Sequence, residues 1–177
     1  HEKKELDVDP AFFTMFSFPL IKGRPEDVLI DMNSVVLTES TAIKYFGNVD
    51  SAMDKIITLN KETPLKVTGI ANDVPANSHL DFDIALSLER HKDAGWMASW
   101  INNGTYTYIE LEPGVSQAQI EKQLPAFVEK YLGSELRKYG FKWGLSLTPL
   151  KDVYFDDGLD NAKHGDKKVV YIFLSVA

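Results

Sequence analysis

The stretch Ser34-Val-Val-Leu-Thr-Glu-Ser-Thr-Ala-Ile-Lys-Tyr-Phe-Gly47 contains a strand signal and a helix signal in immediate succession. Residues 34–37 form a short run rich in β-branched side chains, which is typical of a strand. Thr38 suits the N-cap of a helix that continues through Phe46, and Gly47 stands where a C-terminal glycine belongs. The stretch therefore predicts a strand that leads directly into a helix.

The segments after this stretch mainly predict strands. Residues 56–59 and 65–70 flank a polar turn, which is the pattern of a hairpin. Residues 80–86 alternate between apolar and polar side chains, as expected for a half-buried strand. Two later segments, 105–112 and 141–147, also have strand patterns. The hairpin signals are thus concentrated in the middle of the chain.

The N-terminal region predicts a short aromatic helix. Asp9 suits its N-cap and Pro10 its first helical position. Phe12, Phe13 and Phe16 follow, so the helix should dock firmly. We interpret these rings as core residues, although a partner protein could also cover them.

The clearest helix begins near Ser116, which has the spacing of a capping box with Gln119. Pro125 is expected to kink this helix and Gly133 to end it. Its predicted apolar face comprises Ile120, Leu124, Phe127 and Tyr131. Because helices and strands are mixed without a regular βαβ order, the predicted fold class is α+β rather than doubly wound.

Composition narrows the class of protein. The chain has 177 residues, of which 44% are hydrophobic and 25% charged, so it forms one ordinary domain or two small lobes rather than a disordered segment. The absence of cysteine excludes thiolate catalysis and cysteine zinc sites. A net charge of -7 argues against nonspecific binding to nucleic acid or anionic lipid, and we identify no cluster of basic and aromatic residues that would argue otherwise.

Few residues suggest a chemical site. Asp81 and Asp83 share one face of a predicted strand and could act as a carboxylate pair or a cation site, but we favour the polar face of an exposed strand. The acidic loop 156–166 lacks the spacing of a calcium loop. The histidines, none with a partner at ligand spacing, are His1, His79, His91 and His164. We therefore predict no catalytic, cofactor-binding or metal-binding residue.

The two ends of the sequence pose a separate question. The first seven residues, His1-Glu-Lys-Lys-Glu-Leu-Asp7, do not have the pattern of a signal peptide. The last nine, Val169-Val-Tyr-Ile-Phe-Leu-Ser-Val-Ala177, are strongly apolar but far shorter than a membrane span. They could be a buried final strand or the first turns of a transmembrane helix, and composition leaves both interpretations open.

Four segments, taken in order, carry a resemblance to one family. They are Val8-Asp-Pro-Ala-Phe-Phe-Thr-Met-Phe-Ser-Phe-Pro-Leu-Ile-Lys-Gly23, Val36-Leu-Thr-Glu-Ser-Thr-Ala-Ile-Lys-Tyr-Phe-Gly47, Val67-Thr-Gly-Ile-Ala-Asn-Asp-Val-Pro-Ala-Asn-Ser-His79 and Gly165-Asp-Lys-Lys-Val-Val-Tyr-Ile-Phe173. This succession spans nearly the whole chain. It resembles the MacB-like periplasmic domain of FtsX-type ABC-transporter permeases.

The resemblance implies a two-lobed α+β architecture. Residues 1–30 and 104–155 would form a porter-like α/β-sandwich lobe, and residues 31–103 an inserted β-rich lobe of the Sabre type. Residues 156–177 would be a linker and the start of a truncated transmembrane helix, because such a domain lies between the first two spanning helices of its permease.

The resemblance also implies a function without catalysis. The domain would lie on the periplasmic side of the inner membrane and transmit ATP-driven motion, with ATP hydrolysed in a separate cytoplasmic ATPase subunit or domain. The intact permease would form a homodimer or heterodimer. An envelope adaptor, or an exported peptide, lipoprotein or small molecule, would be its partner, and no cofactor or nucleic acid is expected.

Two other functions compete with this interpretation. One is an FtsX-like regulator that recruits a cell-wall hydrolase, and the other is a soluble periplasmic binding module. For contacts with partners, the candidates are Trp96 and Trp100, in a segment with no clear pattern of its own. The alternative for both tryptophans is that they fill the core of a lobe.

Overall fold

The computed structural model describes residues 4–101 and 104–154. Its strands are β1 (Glu5–Val8), β2 (Leu20–Lys22), β3 (Ser34–Thr38), β4 (Ile56–Leu59), β5 (Thr63–Ala71) and β6 (Ile84–Ser87). Its helices are α1 (Phe12–Met15), α2 (Glu39–Phe46), α3 (Val49–Ala52), α4 (Gln117–Glu121), α5 (Leu124–Tyr139) and α6 (Leu150–Val153), with a 3₁₀ turn over Leu88–His91. The predicted α+β class is confirmed.

The chain divides into two compact units. Unit 1 contains the described residues up to Lys92, together with Val153 and Tyr154. Unit 2 extends from Asp93 to Asp152. All six strands belong to unit 1, whereas α4 and α5 belong to unit 2.

Unit 1 is built on a six-stranded mixed sheet with the order β1-β6-β3-β5-β2, and β4 pairs with β5 beside this path. The predicted hairpin is confirmed as the antiparallel pair β4–β5. Asn60 and Lys61 make its turn with left-handed backbone angles. The predicted strand and helix at residues 34–46 are also confirmed, and Gly47 ends α2 with a φ of 82°.

The centre of this sheet is buried on both faces. Val35 and Leu37 of β3 lie in one hydrophobic core, while Val36 lies in the other. All four residues of β6 are buried as well. The predicted half-buried strand at residues 80–86 is therefore wrong in its length and its exposure. The strand begins only at Ile84, and apolar side chains cover both of its faces.

A phenylalanine cluster fills the second core. Its members are Phe12, Phe13, Phe16, Phe18 and Phe82. Phe82 meets Phe12 and Phe13 edge to face, with ring centroids 5.9 and 6.3 Å apart. The predicted aromatic helix is present but shorter, and its predicted start is wrong: Ala11 rather than Asp9 is the N-cap, and α1 begins at Phe12. Asp9 Oδ1 instead accepts a hydrogen bond from the Ala11 amide at 2.8 Å, before the helix.

Unit 2 confirms the helical capping box and corrects the length of the helix. The side chain of Ser116 and that of Gln119 cap α4 reciprocally. Two helices replace the single predicted one, and Pro125 kinks neither, because it stands in the first turn of α5. Gly133 lies buried inside α5, and Gly140, with a φ of 69°, ends that helix.

The two strands predicted in unit 2 are wrong. Residues 105–112 and 141–147 adopt no strand, and most of their side chains are exposed. Alternating polarity favours an extended backbone, but a strand also needs a neighbour for its amide and carbonyl groups. Within the described part of unit 2, these segments have no such ladder.

The two units do not coincide with the predicted lobes. Residues 4–22 lie in unit 1 with residues 34–87, because β1 pairs in parallel with β6 from Glu5↔Ile84 to Val8↔Ser87. The assignment of porter-like and Sabre-like lobes thus stays a prediction. The linker and helix predicted at 156–177, the acidic loop 156–166, His1 and His164 lie outside the described residues. Over residues 4–101 and 104–154, no helix combines the length and apolar character needed to cross a bilayer.

Candidate functional site

The two aspartates that could have formed a carboxylate pair both contact Lys4. The Lys4 Nζ atom lies 2.5 Å from Asp81 Oδ2, and the Lys4 amide donates to Asp83 Oδ2 at 3.1 Å. The hydrogen bond and charge of Asp81 raise the pKa of Lys4 above its ordinary value. The amides of Asp83 and Ile84 in turn donate to the Lys4 carbonyl at 2.8 and 3.1 Å. We call these contacts the Lys4 junction, which fastens the beginning of β1 to the beginning of β6.

The surroundings of the two described histidines, His79 and His91, do not suggest a metal site either. His91 Nε2 lies 3.5 Å from Asp7 Oδ2, and burial lowers the pKa of His79. No group of three or more His, Asp or Glu side chains could hold a metal ion in the part of the chain that the structure describes.

The candidate contact residues Trp96 and Trp100 both lie in unit 2 and are 40% and 52% exposed. Trp100 stacks on Tyr131, with ring centroids 4.7 Å apart and an interplanar angle of 22°. It also meets the edge of Phe127 at 5.7 Å. These three rings, Trp100, Phe127 and Tyr131, form the aromatic cluster, and their role in partner contacts stays a prediction.

The aromatic cluster is exposed because α5 buries a different face from the one that the sequence predicted. The buried residues of α5 include Val128 and Leu132, each one position beyond Phe127 and Tyr131. One residue corresponds to a rotation of about 100° around a helix. Phe127 and Tyr131 consequently remain exposed and support Trp100, so the face predicted to be core is a surface.

A groove runs between α5 and residues 141–147, which we call the extended segment. It has a volume of about 420 Å³, and its walls include Val128 and Leu136 from the helix and Trp143 and Leu145 from the segment. Arg137 and Glu129 form an ion pair on the helix side. The groove is therefore mainly apolar, with a paired charge at its wall.

Hydrogen bonds attach the extended segment to α4. Gln117 Nε2 donates to the Leu147 carbonyl at 2.8 Å and to Glu121 Oε1 at 3.0 Å. The Leu147 amide donates to the same carboxylate at 3.3 Å. These two donors lower the pKa of Glu121, and the larger effect comes from Gln117.

Sequence reasoning missed one surface feature altogether. Arg137-Lys-Tyr-Gly-Phe-Lys-Trp143, which we call the basic-aromatic segment, alternates cations with rings, and every one of its residues is exposed. The statement that no such cluster occurs is wrong. The alternation of cations and rings could have been found in the sequence. It was missed because the acidic net charge argued against a basic surface and because residues 141–147 were predicted to be a strand.

The family comparison covers most of the chain. Residues 5–127 match the family model of the MacB-like periplasmic core domain. Among curated proteins, none matches the chain.

Solved structures provide a second comparison. A domain of a protein assigned as a permease from Porphyromonas gingivalis is 28% identical, with a TM-score of 0.66 over 77% of this chain and 63% of that one. The chain thus spans less than two thirds of the length of that domain. The periplasmic region of MacB from Actinobacillus actinomycetemcomitans is 18% identical, with a TM-score of 0.47 over 79% of this chain and 59% of that one. The extracellular domain of the noncanonic ABC-type transporter YknZ from Gram-positive bacteria is 15% identical, with a TM-score of 0.47 over 84% of this chain and 73% of that one.

Proposed function

This chain belongs to the family of MacB-like periplasmic core domains, and we propose that it transmits ATP-driven motion from the spanning helices of an ABC-transporter permease to a substrate or an envelope partner. The domain itself is non-catalytic, as its family is. In this proposal a cytoplasmic ATPase hydrolyses ATP, the intact permease is a dimer, and the domain lies on the periplasmic side of the inner membrane.

The attachment of β1 to unit 1 is the observation that carries the proposal. β1 is the first described element, and it pairs along all four of its residues with β6. β6 is paired in turn with β3 at the centre of the sheet. A displacement applied to the chain directly before Lys4 would therefore move a closely packed sheet as a body, because packed cores resist continuous deformation.

The Lys4 junction strengthens this attachment where a load would arrive. Its four contacts join Lys4 to residues 81–84, and two of them are backbone hydrogen bonds that β1 itself does not supply. A pull along β1 acts on these contacts together with the β1–β6 ladder. The beginning of β1 is thus well suited to pass motion to the sheet without separating from β6.

The test is to insert a flexible segment of Gly and Ser directly before Lys4 in the intact permease. This chain has no cysteine of its own, so once any cysteine elsewhere in the permease is replaced, a donor fluorophore on Lys44→Cys reports ATP-dependent energy transfer to acceptor lipids. We expect the ATP-dependent change to fall by at least about half while ATP hydrolysis continues, because a flexible linker does not transmit displacement.

The matched control is the same insertion between Asn60 and Lys61, in the turn of the β4–β5 hairpin. This site lies outside the connection between the membrane and the sheet, so the energy-transfer change should persist. An unaltered change after insertion before Lys4 would refute the mechanical proposal.

The aromatic cluster is the surface that we propose for the contact with the substrate or envelope partner. It offers stacked, half-exposed rings of the kind that are enriched in protein contacts. Trp100→Ala should lower the partner-dependent output of the permease while the free energy of unfolding changes by less than about 1 kcal/mol. Trp100→Phe, which keeps a ring, is the control and should retain most of the output. Equal loss of output and stability would instead assign Trp100 to the core.

A further inference from the structure

We propose that the basic-aromatic segment, Arg137 to Trp143, binds the surface of a phospholipid bilayer that contains anionic lipid. The inference rests on the proposed function in one respect, since it needs a domain that is held beside a membrane. It names a binding surface that the transmission of motion does not require.

Charge is the first argument. The whole chain has 26 acidic and 19 basic residues, yet the segment from Leu136 to Lys151 contains no acidic residue. Its basic residues are Arg137, Lys138, Lys142 and Lys151. An anionic surface would repel most of this protein but attract this one segment, because charge attraction acts over a Debye length of about 10 Å.

The exposed rings are the second argument. Phe141 is 68% exposed, and the Tyr139 ring stacks beside it with centroids 6.3 Å apart. The Lys138 ammonium lies 5.2 Å from the centroid of the Tyr139 ring. Large apolar side chains in such positions cost free energy in water, so their contiguity indicates a surface that is covered in use. Tyrosine and tryptophan are the rings enriched where membranes meet water.

The interleaving of the two kinds of side chain favours a membrane over a protein partner. Lysines alternate with rings along Lys138, Tyr139, Phe141, Lys142 and Trp143. Rings can then enter the headgroup region while the flexible lysine stems keep their ammonium groups at the level of the phosphates. An acidic peptide would pair with the cations, but it would not account for the four large apolar side chains that are exposed beside them. These are Tyr139, Phe141, Trp143 and Leu145.

Helix capping explains only part of this composition. Arg137 and Lys138 stand in the last turn of α5, where cations complement the helix dipole. Arg137 is also paired with Glu129. Lys142, Phe141 and Trp143 lie beyond the end of the helix at Gly140, so the dipole does not account for them.

The experiment uses the full chain with Trp96→Phe and Trp100→Phe, which leaves Trp143 as the one tryptophan. The probes are phosphatidylcholine vesicles with or without phosphatidylglycerol, carrying brominated acyl chains that quench a tryptophan at the interface. We expect quenching of Trp143 and binding about tenfold tighter when phosphatidylglycerol is present. The apolar residues 169–177 contain no tryptophan, so this signal reports the segment alone.

Charge reversal provides the matched comparison. Lys138→Glu with Lys142→Glu should weaken binding about tenfold or more, whereas Lys44→Glu with Lys55→Glu, an equal change in net charge at exposed sites of unit 1, should alter it less than about twofold. Circular dichroism checks the fold of both variants. Phe141→Ser, at a highly exposed site, removes a ring without altering charge and should reduce Trp143 quenching.

Three results would overturn the proposal. They are an unquenched Trp143, equal weakening by the two charge reversals, and binding of soluble polyglutamate that is as tight as binding to the vesicles, which would indicate an acidic protein partner. None of them affects the energy-transfer test of the Lys4 insertion, so the two proposals fail separately.

Discussion

Unit 1 and unit 2 differ in how many of their apolar side chains are buried in a core. Unit 1 buries them on both faces of its sheet, as the complete burial of β3 shows. In the described part of unit 2 the buried hydrophobic residues are Val128 and Leu132, while rings such as Tyr139 and Phe141 are exposed. The difference teaches that unit 1 is stabilised by packing, whereas unit 2 retains apolar surface for contacts.

The largest expected difference between the units comes from truncating a phenylalanine in each. Phe82 is 2% exposed and packs against the rings of Phe12, Phe13 and Phe18, so Phe82→Ala should lower the free energy of unfolding by about 3–5 kcal/mol. Phe141→Ala should change it by less than about 0.5 kcal/mol. Urea unfolding followed by circular dichroism measures both values.

Phe82→Leu provides the comparison if Phe82→Ala does not fold, since it keeps much of the buried volume and should cost less. A loss at Phe141 as large as the loss at Phe82 would contradict the contrast between the units, because it would show that the basic-aromatic segment is packed.

A second comparison uses one glycine from each unit. Gly23 and Gly114 both have left-handed backbone angles, with φ values of 93° and 87°. A Cβ atom on Gly23 would lie 2.5 Å from Val28 Cγ1 and 2.9 Å from the Thr68 carbonyl, whereas one on Gly114 would meet nothing within 4 Å. Gly114→Ala should therefore cost only the backbone strain, about 1–2 kcal/mol, and Gly23→Ala about 1–3 kcal/mol more.

Thermal unfolding of the two glycine variants gives this difference directly, because the strain is common to both positions. Equal losses would mean that the neighbours of Gly23 can move aside, and unit 1 would then be packed less closely than its buried strands indicate.

Local signals explain why much of unit 1 could be predicted from its sequence. The helix that follows β3 ends at its own C-terminal glycine, Gly47, and the β4–β5 hairpin closes through a short polar turn. By contrast, β1 pairs with β6 across a sequence separation of 79 residues, from Glu5 to Ile84. Nothing local specifies such a partner, so this pairing could not be predicted from the sequence.

Unit 2 was harder to predict for a related reason. Its alternating segments 105–112 and 141–147 signal strands, but a period of two says nothing about whether a neighbouring strand is present. The inward face of α5 was missed by one residue, since Phe127 and Val128 are both apolar. Trp100 could be singled out from the sequence, but its stacking on Tyr131 could not.

A smaller effect is expected from removing one helix cap in each unit. Asp73 reaches α2 from the loop after β5, where its carboxylate accepts hydrogen bonds from the amide, at 3.0 Å, and the hydroxyl of Ser40. Ser116 caps α4 within its own turn. Asp73→Ala and Ser116→Ala should each lower stability by about 1 kcal/mol.

Hydrogen exchange distinguishes where the two caps act. Asp73→Ala should accelerate exchange across unit 1, because it releases α2 from a loop that continues β5, whereas Ser116→Ala should affect mainly the first turn of α4. Asp73→Asn retains an acceptor oxygen and is the control. A local effect at Asp73 would indicate that α2 can fray without loosening the sheet.

The smallest expected effect is a difference in pH response between two charged side chains, Glu121 and Lys4. Gln117 and the Leu147 amide lower the pKa of Glu121, so its contribution to unit 2 is present above the carboxyl's ordinary pKa of 4.5 and is lost as the pH falls through the lower folded value. Asp81 raises the pKa of Lys4, so the contribution of the Lys4 junction to unit 1 is present below pH 10.5 and is lost as the pH rises through the higher folded value.

Carbon NMR titration of Glu121 should therefore give a midpoint below 4.5, which Gln117→Ala should move upward. Asp81→Asn, acting in unit 1, should leave this midpoint unchanged and instead lower the pKa of Lys4, whereas a Glu121 midpoint that does not respond to Gln117→Ala would show that the hydrogen bonds between α4 and the extended segment do not persist in solution.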